Sequence, residues 1–314
     1  MRLSTDKIEI SIIMPSYNAA AFIAQSITSV KEQSFRYWEL IIVDDGSDDG
    51  SSDLVESFLS DPRIKLIQQD HLGAAKARNH ALSVAKGAFI AFLDADDWWE
   101  PEFLKAMLTA SRSSDADISY CGWQRTGLPE KLCPRYVPPD YSKEGLVEAL
   151  MRENIWPIHA ALTRAELIKR LGGFDETLPC CMDFDLWLRA SPDIKVTLVP
   201  EVLAYYRFHG TGQITSQKAR LVIVHLEVQL DFLKQHSEIA ARFTPEQIEY
   251  WTWDRVRRKA YGNFWHANLD TSSQLFRYLL RRGKWRLSDL RHILFSLLPP
   301  QVQRRIPLGP SLPS

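Results

Sequence analysis

Residues 89–99 read Phe-Ile-Ala-Phe-Leu-Asp-Ala-Asp-Asp-Trp-Trp, and the reading of this stretch decides the fold. A mostly apolar run ends in three carboxylates, Asp94, Asp96 and Asp97, the pattern of a buried strand emerging at a sheet edge. Carboxylates this close resist ionising together, whereas a hard divalent cation carrying phosphate oxygens neutralises them. The competing reading is an acidic turn capping a helix that starts in Glu100-Pro101-Glu102.

Upstream, residues 9–15 predict a first buried strand, ended by Pro15 because proline cannot donate to a central ladder. Ser16-Tyr17-Asn18 follows as a loop, and residues 19–33 carry Phe22, Ile23, Ile27 and Val30 at helical spacing. Strands are predicted at residues 39–43, 64–68 and 88–93, with helices at 53–59 and 74–85 between them. This β-α-β-α-β-α-β alternation builds a parallel sheet through right-handed crossovers, and its ligands bind beyond the carboxyl ends of the strands. Those ends carry Tyr17 and Asn18, Asp44 and Asp45, and Asp94 and Asp96, which can converge on a nucleotide. No Gly-x-Gly-x-x-Gly or Walker phosphate loop follows the first strand, which disfavours hydride transfer and nucleoside triphosphate hydrolysis.

The 314 residues are 45% hydrophobic and 25% charged, a globular composition. The net charge of -1 hides an asymmetry: residues 250–314 hold 12 Lys+Arg against 3 Asp+Glu, leaving 26 against 36 for the rest. A basic C-terminal part thus follows an acidic body, and nothing points to nucleic acid. Cys121, Cys133, Cys180 and Cys181 lack metal-ligand spacing and suit reduced thiols in the cytoplasm. Residues 1–8 lack the apolar core of a signal peptide, and no apolar run is long enough for a membrane span.

Four segments carry a resemblance: Ile-Ile-Met-Pro-Ser-Tyr-Asn (12–18), Ile-Ile-Val-Asp-Asp-Gly-Ser (41–47), Gly73 with Ala77-Arg78-Asn79, and residues 93–97. In this order and spacing they resemble the successive motifs of family 2 glycosyltransferases, inverting enzymes with the GT-A fold. The resemblance implies a Rossmann-like, mostly parallel α/β sheet flanked by helices. It implies a catalytic domain over residues 1–215, with a nucleotide-sugar half at 1–99 and an acceptor half at 100–215, and a helical basic extension at 216–314. Pro15 and Tyr17 would border the nucleobase, with Asn18 in the same donor-binding loop. Asp45 would accept a base N–H, favouring a UDP-sugar; the alternative for either Asp44 or Asp45 is a cap on the turn before Gly46 or on the following helix. Arg78 would bind the nucleotide, Asp94 the ribose, and Asp96 a Mn²⁺ or Mg²⁺ ion on the diphosphate, with Asp97 a helix cap or a group behind the metal ligand.

Further on, residues 171–176 (Leu-Gly-Gly-Phe-Asp-Glu) and 182–189 (Met-Asp-Phe-Asp-Leu-Trp-Leu-Arg) resemble the family's acceptor segments. By register Asp183 takes the place of the general base, and Asp185 falls on another helix face. Met182 departs from the family, which often has glutamate there; the bland alternative for Asp183 is a helix N-cap. Tyr205 to Gly210 resembles the segment after the last catalytic strand, where His209 can approach the metal or diphosphate and a loop over residues 210–212 can close on the donor. Residues 128–140, with four prolines, predict a mobile loop near the acceptor. Trp98, Trp99, Trp123 and Trp156 are either sugar platforms or core.

In the tail, residues 221–233 predict a packing helix, and residues 284–298 a basic amphipathic segment that ends at Pro299-Pro300. That segment either packs on the body or lies on an anionic membrane surface, on the cell membrane's inner face. The function implied is transfer of a sugar from a nucleotide-sugar to a saccharide or lipid-linked acceptor in cell-surface polysaccharide or glycolipid synthesis. The alternative is a catalytically silent relative serving as an assembly partner, against which Asp96 and Asp183 argue. A nucleotidyltransferase would carry a Gly- and Arg-rich phosphate loop where this chain has Ser16-Tyr17-Asn18-Ala19-Ala20.

Overall fold

The structure, a computed structural model, describes residues 8–143, 145–209, 217–303 and 305. The expectations for the N-terminal stretch, apart from Ile8, and for a closing loop at 210–212 lie outside the described residues. The apolar runs become strands because a parallel sheet covered on both faces demands residues apolar on both sides. β1 (Ile10–Ser16) and β2 (Trp38–Asp44) are buried almost throughout, and β3 (Ile64–Gln68) lies at the edge beside β2. Between them run α1 (Ile23–Lys31) and α2 (Ser51–Glu56). α3 (Ala74–Val84) leads into β4 (Phe89–Phe92), whose four residues are all buried.

β5 (Trp98–Trp99) and α4 (Phe103–Ser114) follow, so the acidic stretch does not run directly into a helix from Glu100. β5 instead pairs antiparallel with the later strand β9, which draws the acidic loop across the sheet edge. Then come β6 (Ile118–Thr126), β7 (Arg135–Tyr136), α5 (Leu146–Arg152), β8 (Ala161–Arg164), α6 (Ala165–Leu171), α7 (Met182–Ala190) and β9 (Val196–Arg207). The nine-stranded sheet runs β3-β2-β1-β4-β8-β6-β9-β5, with β7 on β6. β1, β2, β3 and β4 are parallel, and β8 is antiparallel to both β4 and β6.

Pro15 does not end its strand: β1 continues to Ser16, with Pro15 opposite Val43. The pairing with β4 has already stopped at Ile13 and Phe92, so the missing N–H falls where the chain of β4 has turned away. One face of the sheet, with Ile10, Ile12, Met14, Leu40, Ile42 and Ala91, packs on Ile23, Ile27 and Val30 of α1 and on Phe103, Leu104 and Met107 of α4. The proline-rich segment is also more built than expected. It contains a 3₁₀ turn at Glu130–Leu132 and the strand β7, and the Gln124 side-chain amide donates to the Cys133 carbonyl at 2.9 Å. Paired backbone groups leave this stretch little of a free loop's entropy.

The chain divides into two compact units, Met1–Gly210 and Thr211–Ser314. The second holds α8 (Lys218–Gln235), α9 (Ser237–Ala240), α10 (Pro245–Trp251), α11 (Trp253–Trp265), α12 (Leu269–Arg281), α13 (Leu290–Leu297) and α14 (Pro300–Gln303). Its core joins Val222 and Leu226 to Val256, Ala260, Leu275, Phe276, Leu279 and Ile293. Arg257 fastens the last turns, donating to Asp289 Oδ2 at 3.0 Å and to the Lys284 carbonyl at 2.6 Å. Pro300 opens the short α14 rather than ending the helical structure, as proline suits a first helical position. Among the described residues no helix is long and apolar enough to cross a membrane.

Candidate active site

The parallel register sets the ends of β1, β2 and β4 side by side, with Ser16 opposite Asp44 and Ile13 opposite Phe92. At the end of β2 the two carboxylates take different work. Asp44 receives the Ser47 hydroxyl at 2.5 Å and the Ser47 amide at 3.2 Å, closing the turn as the sequence predicts. Asp45 is buried and clasps the 69–73 loop. Its Oδ1 accepts from Gln69 Nε2 at 2.7 Å and the Leu72 amide at 2.9 Å, and its Oδ2 from the Gly73 amide at 2.9 Å, with His71 Nδ1 at 3.0 Å. A base N–H approaching Asp45 meets a carboxylate already engaged on both oxygens. The clasp brings His71, unremarked in the sequence, against Tyr17, with ring centroids 4.0 Å apart.

Asn18 holds the same rim together. It sits at φ 49°, a conformation asparagine tolerates; its amide donates to Ser47 Oγ at 2.9 Å and its side-chain oxygen accepts the Asp48 amide at 3.0 Å. Both contacts are structural, tying the β1 loop to the β2 loop beneath Tyr17.

After β4 the acidic loop separates its carboxylates by depth. Asp97 is fully buried: its Oδ1 accepts the Arg207 amide at 2.9 Å and its Oδ2 lies 3.0 Å from His159 Nδ1. It is thus an internal anchor rather than a helix cap. Burial raises its pKa, with the His159 charge opposing, and the same pairing raises that of His159 against its own burial. Asp96 stands nearer solvent, with its Oδ2 3.1 Å from His209 Nε2. Burial, then the charges of Asp97 and Asp94, push its pKa from 3.8 up to about 6. Arg207 Nε braces the loop by donating to the Asp96 carbonyl at 3.0 Å.

The acceptor side arrives on α7. Asp183 is its second residue and not its N-cap, which is Cys181 at φ 60°. Asn154 Nδ2 donates to Asp183 Oδ2 at 2.7 Å, and burial raises the pKa of Asp183 against the lowering by the Phe184 amide, Asn154 and Arg78. A raised pKa is what a carboxylate needs in order to take a proton near neutral pH. Arg78, 7% exposed, is no surface arginine: Nη2 donates to Asp94 Oδ1 at 2.5 Å and Nη1 lies 3.7 Å from the Met182 sulfur. It is the cation between the strand-end acids and the helix that carries Asp183. Asn79, its neighbour, clamps the Gly-Gly-Phe-Asp-Glu turn by accepting the Phe174 amide and donating to the Phe174 carbonyl, both at 2.9 Å. Gly173, at φ +76°, permits this approach, because an added Cβ would lie 2.6 Å from Asn79 Oδ1. Asp185 faces elsewhere and pairs with Arg189 at 2.7 Å.

Among the described residues no group of three or more His, Cys, Asp or Glu side chains is arranged to hold a metal. Asp96 and His209 converge as a pair. Burial and the nearby charges of Asp97 and Asp94 disfavour ionisation of Asp96, and a hard divalent ion held by this pair would offset that cost. Of the tryptophans, Trp99 and Trp156 are core, and Trp99 Nε1 donates to the His159 carbonyl at 2.7 Å. Trp98 stacks on Tyr205 at 5.1 Å, and Trp123 packs edge-on to Tyr136 at 4.7 Å.

Residues 11–172 match the sequence model of the family described as Glycosyl transferase family 2, and the chain belongs to that family. Its fold is the GT-A fold. A relative is the Escherichia coli UDP-Glc:alpha-D-GlcNAc-diphosphoundecaprenol beta-1,3-glucosyltransferase WfgD, 44% identical over 116 residues, 37% of this chain and 46% of that one. An uncharacterized Rickettsia typhi glycosyltransferase is 31% identical over 216 residues, 67% of each chain. The chain spans about half the length of several curated relatives it matches, 46% of WfgD and 60% of Bacillus subtilis EpsJ. Among solved structures, Staphylococcus aureus TarS 1-349 in complex with UDP-GlcNAc superposes with a TM-score of 0.58 at 19% identity, covering 88% of this chain and 93% of that one. The Pyrobaculum calidifontis mannosyltransferase PcManGT with GDP-Man and Mn²⁺ gives 0.55 at 18% identity, covering 95% and 84%.

Proposed function

We propose that the chain is a metal-dependent inverting glycosyltransferase that moves a sugar from a UDP-sugar to a lipid-linked saccharide acceptor in cytoplasmic polysaccharide or glycolipid assembly. The observation that carries the reading is Arg78, which bonds Asp94 at the donor edge and touches Met182 beside Asp183, so that donor and acceptor carboxylates share one cation. The E. coli relative, whose name gives a UDP-glucose donor and a diphosphoundecaprenol acceptor, supports the choice of substrates.

In the proposed reaction the Asp183 carboxylate takes the proton of the acceptor hydroxyl as that oxygen bonds to the anomeric carbon from the face opposite the diphosphate. The bond from the anomeric carbon to the diphosphate oxygen breaks, its electron pair leaves with UDP, and the anomeric configuration inverts. Asn154 orients the base, and Tyr17 and His71 offer aromatic surface to the nucleobase. Pro15 shapes the strand end beneath them, and Asp45 holds the 69–73 rim that frames the base. Asp94 would face the ribose and Arg78, its ion-pair partner, the nucleotide. Asp96 and His209 would hold Mn²⁺ or Mg²⁺, which when bound supplies Lewis-acid stabilisation of the leaving diphosphate.

The test is nucleoside diphosphate release from a panel of nucleotide-sugars with Mn²⁺ or Mg²⁺ and a GlcNAc-diphospho-lipid acceptor, followed by NMR of the product linkage. Release dependent on metal and acceptor, lost in Asp96→Ala and Asp183→Ala, with an inverted product, is the expected result. A retained anomeric configuration, or equal turnover by Asp183→Ala, overturns the mechanism.

A further inference from the structure

We propose that the second unit carries a membrane-docking face, formed by the outer side of α13 and the turn before it, which binds the surface of an anionic lipid bilayer. The helix is attached through its inner side, where Ile293 and Ser296 are buried and the His292 ring meets Phe264 at 4.7 Å and Phe276 at 5.3 Å. A helix so attached ordinarily turns polar residues outward. Here one outward stripe, at i, i+4 and i+7, is leucine: Leu290, Leu294 and Leu297 are 44%, 58% and 58% exposed. Leu287, 84% exposed, and Trp285, 41% exposed, extend the ridge into the preceding turn. These side chains leave about half or more of their surface to solvent, and an apolar ridge so exposed marks an interaction site.

Charge selects the occupant. Arg281, Arg282, Lys284, Arg286, Arg291 and Arg305, within and beside this segment in the chain, are exposed. The one acid of residues 281–305 is Asp289, buried and held by Arg257, so no exposed carboxylate in that segment offsets the cluster. Arg286 is engaged by Asp254 at 2.7 Å, while Arg281 and Arg291 are exposed. A second copy joined through this face would set like charges against each other, which disfavours a symmetric dimer. A bilayer with anionic headgroups satisfies both features at once, leucines at the acyl boundary and guanidinium groups at the phosphates. This inference stands apart from the reading of the sugar-transfer site, since lipid binding is measured without turnover.

The experiment is co-sedimentation of the full chain with vesicles of phosphatidylcholine alone and of phosphatidylcholine mixed with phosphatidylglycerol. The chain is expected to pellet with the mixed vesicles, weakly with neutral ones, and less as salt is raised. Leu294→Glu/Leu297→Glu is expected to weaken binding about tenfold or more, from the loss of two inserted leucines, and Arg281→Gln/Arg291→Gln severalfold. Both pairs are exposed, so circular dichroism and melting temperature serve as folding controls. Equal pelleting by the folded leucine variant, or no preference for anionic vesicles, overturns the proposal. So does self-association that the leucine variant abolishes in the absence of any vesicle binding by the native chain.

Discussion

The substitution Asp96→Asn should abolish transfer and yet make the metal-free protein more stable. Asp96 is surrounded by negative charge and partly withdrawn from water, and its pKa rises from 3.8 to about 6. An acid whose pKa is raised by folding binds its proton more tightly in the native state. The contribution of this group to native stability is then most favourable at low pH, and its ionisation costs stability as pH climbs from the unfolded value towards the folded one. A shift of about two pH units corresponds to about 3 kcal/mol, at 1.4 kcal/mol per unit. The neighbours Asp94 and Asp97 share that repulsion, so neutral asparagine should recover about 2 kcal/mol, or about 4–8 °C of melting temperature for a unit of this size. The assay is differential scanning fluorimetry of both proteins in EDTA from pH 4 to pH 8. The gap should be small near pH 4, open between pH 4 and 6, and be complete above. Mn²⁺ with UDP should then raise the melting temperature of the native protein and leave the variant unmoved. A variant that melts at or below the native protein at pH 7.5, or a gap of equal size across the range, would refute the reasoning.

Other consequences follow from the same geometry. Asp183→Asn should lower kcat by about 10²–10⁴ with no loss of melting temperature, since one positioned base is removed together with a charge that burial disfavours. Because burial raises the pKa of Asp183, native activity should fall on the acid side as that carboxylate protonates; a flat acid limb in a pH–rate profile contradicts the assignment. Arg78→Met removes the cation that lowers the Asp183 pKa, so the acid limb should move to higher pH. It should also cost about 1–3 kcal/mol in chemical denaturation, because Asp94 loses its partner while keeping some solvent. Gly173→Ala should destabilise by about 1–3 kcal/mol, from the positive φ and the clash with Asn79 Oδ1, and Asn79→Ala made on that background should relieve part of the loss.

Much of the donor half was legible in the sequence. The apolar runs of β1, β2 and β4 have no polar face to offer, which forces them inside a parallel sheet, and the carboxylates at their ends are then delivered to one edge. Less legible was what each polar group does there. Asp45 reads as a free acceptor, but four donors from residues 69–73 converge on it. His71 and Asn154 carry no signal beyond being polar loop residues, because what they touch lies 26 or more positions away. Asn79 is likewise silent in the sequence, because its partner Phe174 is 95 residues distant.

By itself the sequence determined the α/β alternation, the acidic strand end of residues 93–97 and the family to which the chain belongs, because hydrophobic periodicity and short motifs are local properties of the chain. Only the tertiary structure decided that Asp97 is an anchor for His159, that Arg78 bridges the donor edge and α7, and that the leucines of α13 face outward. Those outcomes depend on which distant groups meet and on how far each is withdrawn from water. Burial and pairing set both the charge state of a carboxylate and the exposure of a leucine, and neither is written in any short stretch of residues.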